Sequence, residues 1–263
     1  MPEATPTVAA ETADPILRLR GVGRRFGGVH AVRDVDLDVA HGERRAILGP
    51  NGAGKTTLFN LIAGDFAPTS GTIDVMGTDV TFLPARVRPR IGVARTYQKS
   101  RLFPGLTVED NLYLAIVGHD GGRLRVVKSP AREKDQRERA RAAAERVWLG
   151  DSLKTLVGSL SHGQQRQLEV GMASSTDPKL MMLDEPASGL SRGERERLTE
   201  LLLSLPPDVT LILIEHDMDI ALRVAGYVTM MHDGQKIVEG TPEEIRGNQT
   251  VHDIYLGSRF TNE

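Results

Sequence analysis

The segment of this sequence most suited to chemistry is residues 49–56, which read G-P-N-G-A-G-K-T. The three glycines allow the backbone to turn its N–H groups inward with no Cβ in the way, as a cradle for phosphate groups requires. At this spacing Lys55 reaches the β- and γ-phosphates of a nucleoside triphosphate, and the Thr56 hydroxyl holds Mg²⁺. The alternative is a glycine-rich turn that binds no nucleotide. The residues predicted to contact nucleotide here are Gly49, Asn51, Gly52, Ala53, Gly54, Lys55, Thr56 and Thr57.

Two carboxylates close a second informative segment, residues 180–185, which read L-M-M-L-D-E. The apolar run has the length of a buried strand, and side chains at the carboxyl end of a parallel strand face the ligand crevice. Asp184 is therefore predicted to hold Mg²⁺, directly or through water, and Glu185 to polarise the attacking water. A solvated strand end is the alternative interpretation.

A histidine follows residues 211–215, which read L-I-L-I-E and which we interpret as another buried strand. An imidazole at this strand end can hydrogen-bond to a γ-phosphate and order the water. His216 is thus a candidate catalytic residue, although a lone histidine is more often structural.

The elements that must position these residues can be predicted from the surrounding pattern. Residues 45–48 are predicted to form a strand that enters the loop, and residues 57–63 a helix whose N-terminus faces the phosphates and which ends at Gly64. Residues 16–20 and 35–39 alternate apolar and polar side chains, which favours half-buried antiparallel strands in a small sheet beside the loop. Residues 71–75 and 91–94 are predicted to be further strands that extend the same sheet system.

One aromatic residue near the loop is open to two interpretations. Phe26 lies beside Gly27 and Gly28, on a predicted turn that could bring its ring over a purine. A core position is the alternative, and from the residues alone it is the more common one.

The middle of the chain, from about residue 98 to 172, has the character of helices with charged surfaces. Residues 131–148 mix Arg and Lys with Glu and Asp, which indicates a solvated helix face rather than a nucleic-acid-binding patch. We therefore expect an inserted helical subdomain.

Composition limits the remaining possibilities. With 263 residues, 40% of them hydrophobic and 26% charged, the chain is expected to form one globular unit or one unit with an inserted subdomain. A net charge of -2 gives no general affinity for polyanions, so nucleic acid is not an expected partner. The absence of cysteine excludes disulfides and thiolate metal sites. Residues 1–14 lack the features of a secretory signal, and no run of 18 apolar residues occurs, so any membrane role is expected to depend on partners.

Together these motifs resemble the nucleotide-binding subunits of ABC transporters. Residues 160–165, L-S-H-G-Q-Q, are similar to the signature sequence of that family at the start of a helix, where Ser161 also suits a plain N-cap. The resemblance implies that two subunits face each other, and that Ser161, Gly163 and Gln164 of one subunit complete the ATP site of the other.

Further roles follow from the same resemblance. Gln98 matches the glutamine loop, which senses Mg²⁺ and the attacking water and links to the helical subdomain, and Phe26 matches the aromatic residue that stacks on adenine. Glu185 matches the catalytic glutamate and His216 the switch histidine. With Lys55 and Gln98 they form the expected catalytic set, while Thr56, Gln98 and Asp184 are the expected Mg²⁺ contacts.

The implied fold is α/β: a P-loop NTPase (RecA-like) core with an antiparallel β subdomain and an inserted helical subdomain. The ATP-binding domain is expected to span residues 15–257, with the helical insertion at about 99–172 and with tails at 1–14 and 258–263. No C-terminal regulatory domain is expected.

Several segments look like the branched-chain amino-acid type of this family: residues 96–98, 101–103, 166–169, 214–218, 239–245 and 255–257. This type implies two transmembrane permeases, an extracytoplasmic solute-binding protein, a paralogous facing subunit and a peripheral location on the cytoplasmic face of the membrane. Related members serve urea, other amino acids or lipopolysaccharide export. The sequence leaves open the solute, the direction of transport and whether the facing subunit is a copy or a paralogue.

One position departs from the family pattern. Ser191 stands where the family commonly has Asp. This difference affects the contact that an Asp would make with the facing subunit. With Glu194 three residues later, Ser191 predicts a capping box for the next helix.

Two rival functions are less favoured. A soluble ABC ATPase acting on DNA or the ribosome usually has two cassettes, a long coiled-coil insertion or a basic linker, and this sequence has none of them. A non-hydrolysing regulatory subunit would lack Glu185 or His216.

Overall fold

The computed structural model describes residues 14–97, 101–120 and 130–257 of the chain, with side chains described as far as residue 254. Within these residues the strands are β1 (Leu17–Phe26), β2 (Val29–Val39), β3 (Arg44–Leu48), β4 (Ser70–Val75), β5 (Thr78–Asp79), β6 (Val93–Arg95), β7 (Leu180–Asp184), β8 (Thr210–Ile214), β9 (Tyr227–His232) and β10 (Gln235–Gly240). The helices are α1 (Lys55–Ala63), α2 (Val108–His119), α3 (Pro130–Arg146), α4 (His162–Ser174), α5 (Arg192–Leu203), α6 (Met218–Val224), α7 (Pro242–Arg246) and α8 (Gln249–Gly257).

The first sheet is antiparallel, with strand order β2-β1-β4-β5. Strands β1 and β2 run antiparallel from the pair Leu17 and Val39 to the pair Phe26 and Val29. The predicted antiparallel strands are therefore confirmed, although both extend further than expected. The prediction that Phe26 lies on a turn is wrong, because Phe26 is the last residue of β1 and the turn consists of Gly27 and Gly28.

The second sheet has strand order β10-β9-β3-β8-β7-β6. The pairs that join β9, β3, β8, β7 and β6 are parallel, and only β10 runs antiparallel to its neighbour. Every residue of β7 and β8 is buried, as expected for central parallel strands. The expectation that residues 71–75 and 91–94 extend one sheet system is wrong. Strand β4 belongs to the antiparallel sheet, whereas β6 pairs in parallel with β7 at the edge of the other sheet.

Successive side chains of β7 point to opposite faces of the parallel sheet and so reach two separate cores. Leu180 and Met182 pack with α1 and the antiparallel sheet, whereas Met181 and Leu183 pack with the helices α2 to α5. A shift of β7 by one residue would turn each of its side chains toward the opposite core. Packing therefore fixes the register of β7, and with it the position of the acids at its carboxyl end.

Helices α2, α3 and α4 lie between β6 and β7 in the chain, although these two strands are neighbours in the sheet. Helix α3 buries only Gln136 and three alanines, and its charged residues stay on the solvent side, as predicted for residues 131–148. Of the helices in residues 14–97, 101–120 and 130–257, none has both the length and the apolar character needed to span a bilayer.

The hairpin β9–β10 was not predicted from the sequence. Its turn contains Asp233 and Gly234, both with positive φ, and an Asp-Gly pair between apolar segments is a known hairpin signal. That pair could have revealed the element.

Candidate functional site

The phosphate loop joins β3 to α1, and its glycines are required by close contacts with other segments. A Cβ on Gly49, which has φ of 147°, would lie 2.1 Å from the carbonyl oxygen of Met231. A Cβ on Gly54, with φ of 94°, would lie 2.4 Å from the carbonyl oxygen of Ala31. The loop therefore reaches its shape only with glycine at both positions. Helix α1 begins at Lys55, two residues earlier than predicted, and ends at Gly64 as predicted.

Lys55 is buried, and its ammonium group is held by the loop itself. Its Nζ donates hydrogen bonds to the carbonyl oxygens of Gly49, at 2.7 Å, and of Pro50, at 3.0 Å. Burial lowers the pKa of Lys55, while the charges of Glu185 and Asp184 oppose that shift. Phosphate oxygens placed beside this ammonium would favour its charged form.

Glu185 and His216 contact each other at the ends of neighbouring strands. Nε2 of His216 lies within hydrogen-bonding distance of Oε1 of Glu185. The Glu185 side chain is mostly buried, whereas the His216 ring is about half exposed, so the pair opens to solvent on the histidine side. The Glu185 backbone has φ of 50°, and its N–H donates to the carbonyl oxygen of Ile214. A carboxylate and an imidazole in contact can together polarise a water molecule that lies beside them.

Asp184 is buried beside this pair, and its Oδ1 has no hydrogen-bond partner. Burial and the neighbouring charge of Glu185 raise the pKa of Asp184 to about 6. A buried carboxylate oxygen without a donor suits a hard cation such as Mg²⁺, which takes one or two protein oxygens together with water and phosphate oxygens. Asp184 is therefore a suitable oxygen ligand, and Thr56, the other expected ligand, lines the neighbouring cleft. Within the described residues, no cluster of three or more His, Asp or Glu side chains could hold a metal on its own.

Nine of the predicted site residues meet in one cleft of about 530 Å³, whereas Gly49 and Asp184 are not part of its lining. It is lined by residues 51–57 of the phosphate loop together with Glu185 and His216. The sequence interpretation missed its other wall, which is formed by residues 29–31, Arg33 and Asp233. Asp233 belongs to the unpredicted hairpin, and the other residues lie on β2, whose apolar-polar alternation says nothing about proximity to the loop.

Phe26 lies outside the lining of this cleft, and its side chain is 44% exposed. Its ring packs edge-to-face on Phe66, with centroids 5.5 Å apart, and the Arg24 guanidinium lies 4.7 Å from its centroid. The core interpretation of Phe26 does not fit this exposure. An exposed ring held by two neighbours is suited to stacking, and the adenine contact stays a prediction.

The signature residues form a separate face at the N-terminus of α4. Ser161 caps the helix as expected: its Oγ accepts a hydrogen bond from the Gln164 N–H, and the Gln164 side chain accepts one from the Ser161 N–H. Ser161, Gly163 and Gln164 do not line the phosphate cleft of their own chain. Gln98, expected to contact Mg²⁺ and the attacking water, lies outside the described residues.

Comparisons with known proteins agree with these features. Residues 32–188 match the family model described as ABC transporter, and residues 235–261 match the model described as branched-chain amino acid ATP-binding cassette transporter. The chain is 39% identical over 250 residues to the high-affinity branched-chain amino acid transport ATP-binding protein BraF of Pseudomonas aeruginosa, covering 92% of this chain and 98% of that protein. It is 37% identical over 252 residues to the corresponding protein LivG of Escherichia coli, covering 93% and 99%.

Solved structures give the same result for the fold. An ATP-binding cassette of an ABC transporter, solved in its ADP conformation, has a TM-score of 0.81 at 28% identity and covers 92% of this chain and 98% of that chain. A bacterial ABC transporter cassette described as dimeric has a TM-score of 0.71 at 25% identity, with coverage of 86% and 98%. The predicted α/β fold class, a P-loop NTPase core, is confirmed.

Proposed function

The chain belongs to the ABC transporter family, and we propose that it is the ATP-binding and ATP-hydrolysing subunit of an importer for branched-chain amino acids. The observation that carries this proposal is the cleft in which the phosphate loop, Glu185 and His216 come together, with Asp184 buried beside them. The proteins BraF and LivG, similar to this chain along nearly its whole length, support the choice of solute class.

The phosphate loop would bind the triphosphate. Its backbone N–H groups and the N-terminus of α1 provide donors for phosphate oxygens, and Lys55 supplies a positive charge close to them. The carbonyl oxygens of Gly49 and Pro50 hold the Lys55 ammonium in place, so little reorganisation is needed when the phosphates arrive. Phe26, supported by Phe66 and Arg24, would stack on the adenine.

Hydrolysis would depend on the Glu185 and His216 pair. The Glu185 carboxylate would accept a proton from the attacking water, and the His216 ring would hold that carboxylate and the γ-phosphate in position. Thr56 and Asp184 would hold Mg²⁺, which offsets the negative charge of the phosphates when bound. We propose a further contact from Gln98 to the same centre.

The chain would act with partners. A second ATP-binding subunit would face this one, so that Ser161, Gly163 and Gln164 contact the ATP held by the facing phosphate loop. ATP would hold the pair together, and hydrolysis would let the two subunits separate. The described dimeric form of a similar cassette supports this arrangement. Two permeases in the membrane, served by an extracytoplasmic binding protein, would place this chain on the cytoplasmic face of the membrane.

A groove of about 320 Å³ supports the assignment of permease partners. It lies between β6 and the helices α2 and α4, with Ala94, Ala115 and Met172 among its apolar walls. Tyr97 stands between two guanidinium groups, that of Arg95 at 4.0 Å and that of Arg101 at 3.7 Å from its ring centroid. Arg95 also pairs with Asp65 at 2.7 Å, so the charge of Arg101 is the one offered to a partner. An apolar groove beside Arg101 suits a permease helix with apolar residues and an acidic residue at its edge.

The proposal can be tested by capturing tagged Glu185→Gln protein, in the presence of ATP, from detergent-solubilised host membranes. Mass spectrometry should identify two permeases with or without a second ATP-binding subunit. Reconstitution of the wild-type complex with its binding protein should give ATP-dependent uptake of labelled leucine, isoleucine or valine. Uptake of urea alone, or transport of lipopolysaccharide, would show that the solute is not a branched-chain amino acid. Capture of ribosomal or DNA-repair proteins without a permease would refute the transporter function.

A further inference from the structure

The N-terminus of α4 already holds an anion that belongs to its own chain. Oε1 of Glu194, in the first turn of α5, accepts hydrogen bonds from the Gly163 N–H at 2.9 Å and from the Ser161 hydroxyl at 3.3 Å. Oε2 of the same carboxylate accepts from the N–H of Ser191 at 3.0 Å and from its hydroxyl at 2.8 Å. One carboxylate thus joins the N-termini of two helices.

This contact is close and strongly favours the charged carboxylate. A Cβ on Gly163 would lie 2.7 Å from Cγ of Glu194 and 2.8 Å from its Oε1, so the carboxylate fits only because residue 163 has no side chain. The hydrogen bonds from Ser191 and Gly163 lower the pKa of Glu194 to about 2. Near neutral pH, the donors at the start of α4 are therefore occupied by a full negative charge.

Under the proposed function, a second acceptor must bind to the same hydrogen-bond donors. The Ser161 hydroxyl and the Gly163 N–H each have one proton to donate, and both are assigned to the γ-phosphate of ATP held by the facing subunit. Glu194 and that phosphate cannot both accept these two hydrogen bonds. Two anions that approach the same donors also repel each other.

We propose that Glu194 occupies the γ-phosphate position at the signature of the unpaired subunit, and that ATP on the facing subunit must displace it when the pair closes. This inference rests on the proposed function as an ATP-dependent pair. When the γ-phosphate displaces the carboxylate, only the hydrogen bonds of Oε1 to Ser161 and Gly163 need to break. Oε2 can keep its hydrogen bonds to Ser191 at the start of α5. Glu194 would thus set the ATP concentration needed for closure without taking part in the chemical step.

The experiment uses the intact complex purified from membranes, so that it works whether the facing subunit is a copy or a paralogue. Glu194→Gln removes the charge, whereas Glu194→Asp keeps the charge but is one methylene too short to reach Gly163 from α5. Both variants should lower the ATP concentration for half-maximal hydrolysis by about three- to tenfold, the range that corresponds to the net contribution of one ordinary hydrogen bond. Glu200→Gln, which changes an exposed glutamate of the same helix, should leave it unchanged.

Any other effect of the folded Glu194 variants on the ATP requirement decides against the inference. If Glu194→Asp leaves the ATP requirement unchanged or raises it, the contact with Gly163 does not compete with ATP. Glu194 then only caps the helices or repels phosphate through its charge, even if Glu194→Gln lowers the requirement. If Glu194→Gln fails to fold in a thermal melt, the Asp variant alone decides. Binding of a fluorescent ATP analogue to the free wild-type subunit is measured in parallel, and its absence would refute the proposed function itself rather than the role of Glu194.

Discussion

At the scale of single residues, Glu185 combines an unfavourable backbone with a specific side-chain contact. Its φ of 50° is uncommon for a residue with a Cβ and costs about 1 kcal/mol relative to an ordinary conformation. The conformation turns the side chain at the end of β7 toward His216 on the neighbouring strand. Residues held in this way are concentrated at functional sites, because the surrounding structure must compensate for the strain.

Replacing Glu185 should separate binding from turnover. Glu185→Gln keeps the shape of the side chain but removes the proton acceptor, so we expect the hydrolysis rate to fall about a hundredfold or more. ATP affinity should change little, because the phosphate loop is intact. Single-turnover hydrolysis and equilibrium ATP binding measure the two quantities, with Glu200→Gln as the control. Normal turnover in Glu185→Gln would remove Glu185 from the catalytic set.

Residue identities were the most predictable part of the site. The spacing of residues 49–56 and the acids that close β7 indicate their chemistry without any knowledge of distances. The contact of His216 with Glu185, the hydrogen bonds of Lys55 to its own loop and the unpaired oxygen of Asp184 could not be predicted in the same way. These features arise from the tertiary arrangement of segments that are far apart in the chain.

At the scale of elements, the phosphate loop shows that glycines of one motif serve different purposes. Gly49 and Gly54 are required by other segments that approach their α-carbons. Gly52 also has positive φ, at 80°, but apart from its neighbours in the chain no residue has an atom within 4 Å of the position where its Cβ would be. The motif therefore contains glycines chosen for space and a glycine chosen for conformation alone.

Alanine at two of these positions should have unequal effects on stability. Gly49→Ala places a Cβ against the carbonyl of Met231 and should lower the free energy of unfolding by at least about 3 kcal/mol. Gly52→Ala meets only the cost of left-handed backbone, about 1–2 kcal/mol. Urea unfolding of the two variants beside wild type measures the difference. Equal losses would show that close packing at Gly49 is unimportant.

The capping box at the start of α5 should give a pH-dependent stability. The prediction from Ser191 and Glu194 is confirmed, since each residue hydrogen-bonds to the backbone of the other. Hydrogen bonds to the ionised carboxylate lower the folded-state pKa of Glu194 from 4.5 to about 2. Its contribution is therefore complete above pH 4.5 and is lost as the pH falls toward 2.

Comparison with Glu194→Gln isolates this contribution. Urea unfolding of both proteins should show wild type more stable near neutral pH, with a difference that shrinks below pH 4.5. A difference that stays constant down to pH 3 would mean that the carboxylate charge does not stabilise the cap.

At the scale of the whole molecule, the phosphate cleft and the groove proposed for permease contact lie in different parts of the chain. The phosphate cleft lies at the ends of β3, β7 and β8, whereas the groove proposed for a permease lies between β6 and the helices α2 and α4. The sequence predicted the charged helices between residues 98 and 172 because their composition changes there. It did not predict that β4 and β6 belong to different sheets, because strand partners depend on long-range packing.

Substitution of an exposed apolar residue near this groove can test whether permease contact is separate from ATP binding. Phe103 follows the groove-lining Leu102, and 51% of its surface is exposed. Phe103→Asp should reduce the permeases captured with the protein by about tenfold or more, the effect expected of an aromatic interface anchor. ATP binding by the free subunit should be unaffected.

The matched control is Ile237→Asp, which introduces the same charge at an exposed apolar residue of β10. It should leave permease capture unchanged. Equal loss in both variants, or none in Phe103→Asp, would place the permease contact elsewhere.

The route of the chain through β6 and β7 also bears on how such a protein can evolve. The segment that carries α2, α3 and α4 leaves the sheet after β6 and returns at β7, where Val93 pairs with Leu180 and Arg95 with Met182. A segment whose two ends lie on adjacent strands can be replaced by another of different length without moving the rest of the sheet. The surface proposed to meet a permease can thus be exchanged, provided that the new segment again supplies Gln98 and the signature residues 161–164, which this segment contributes to the proposed ATP sites.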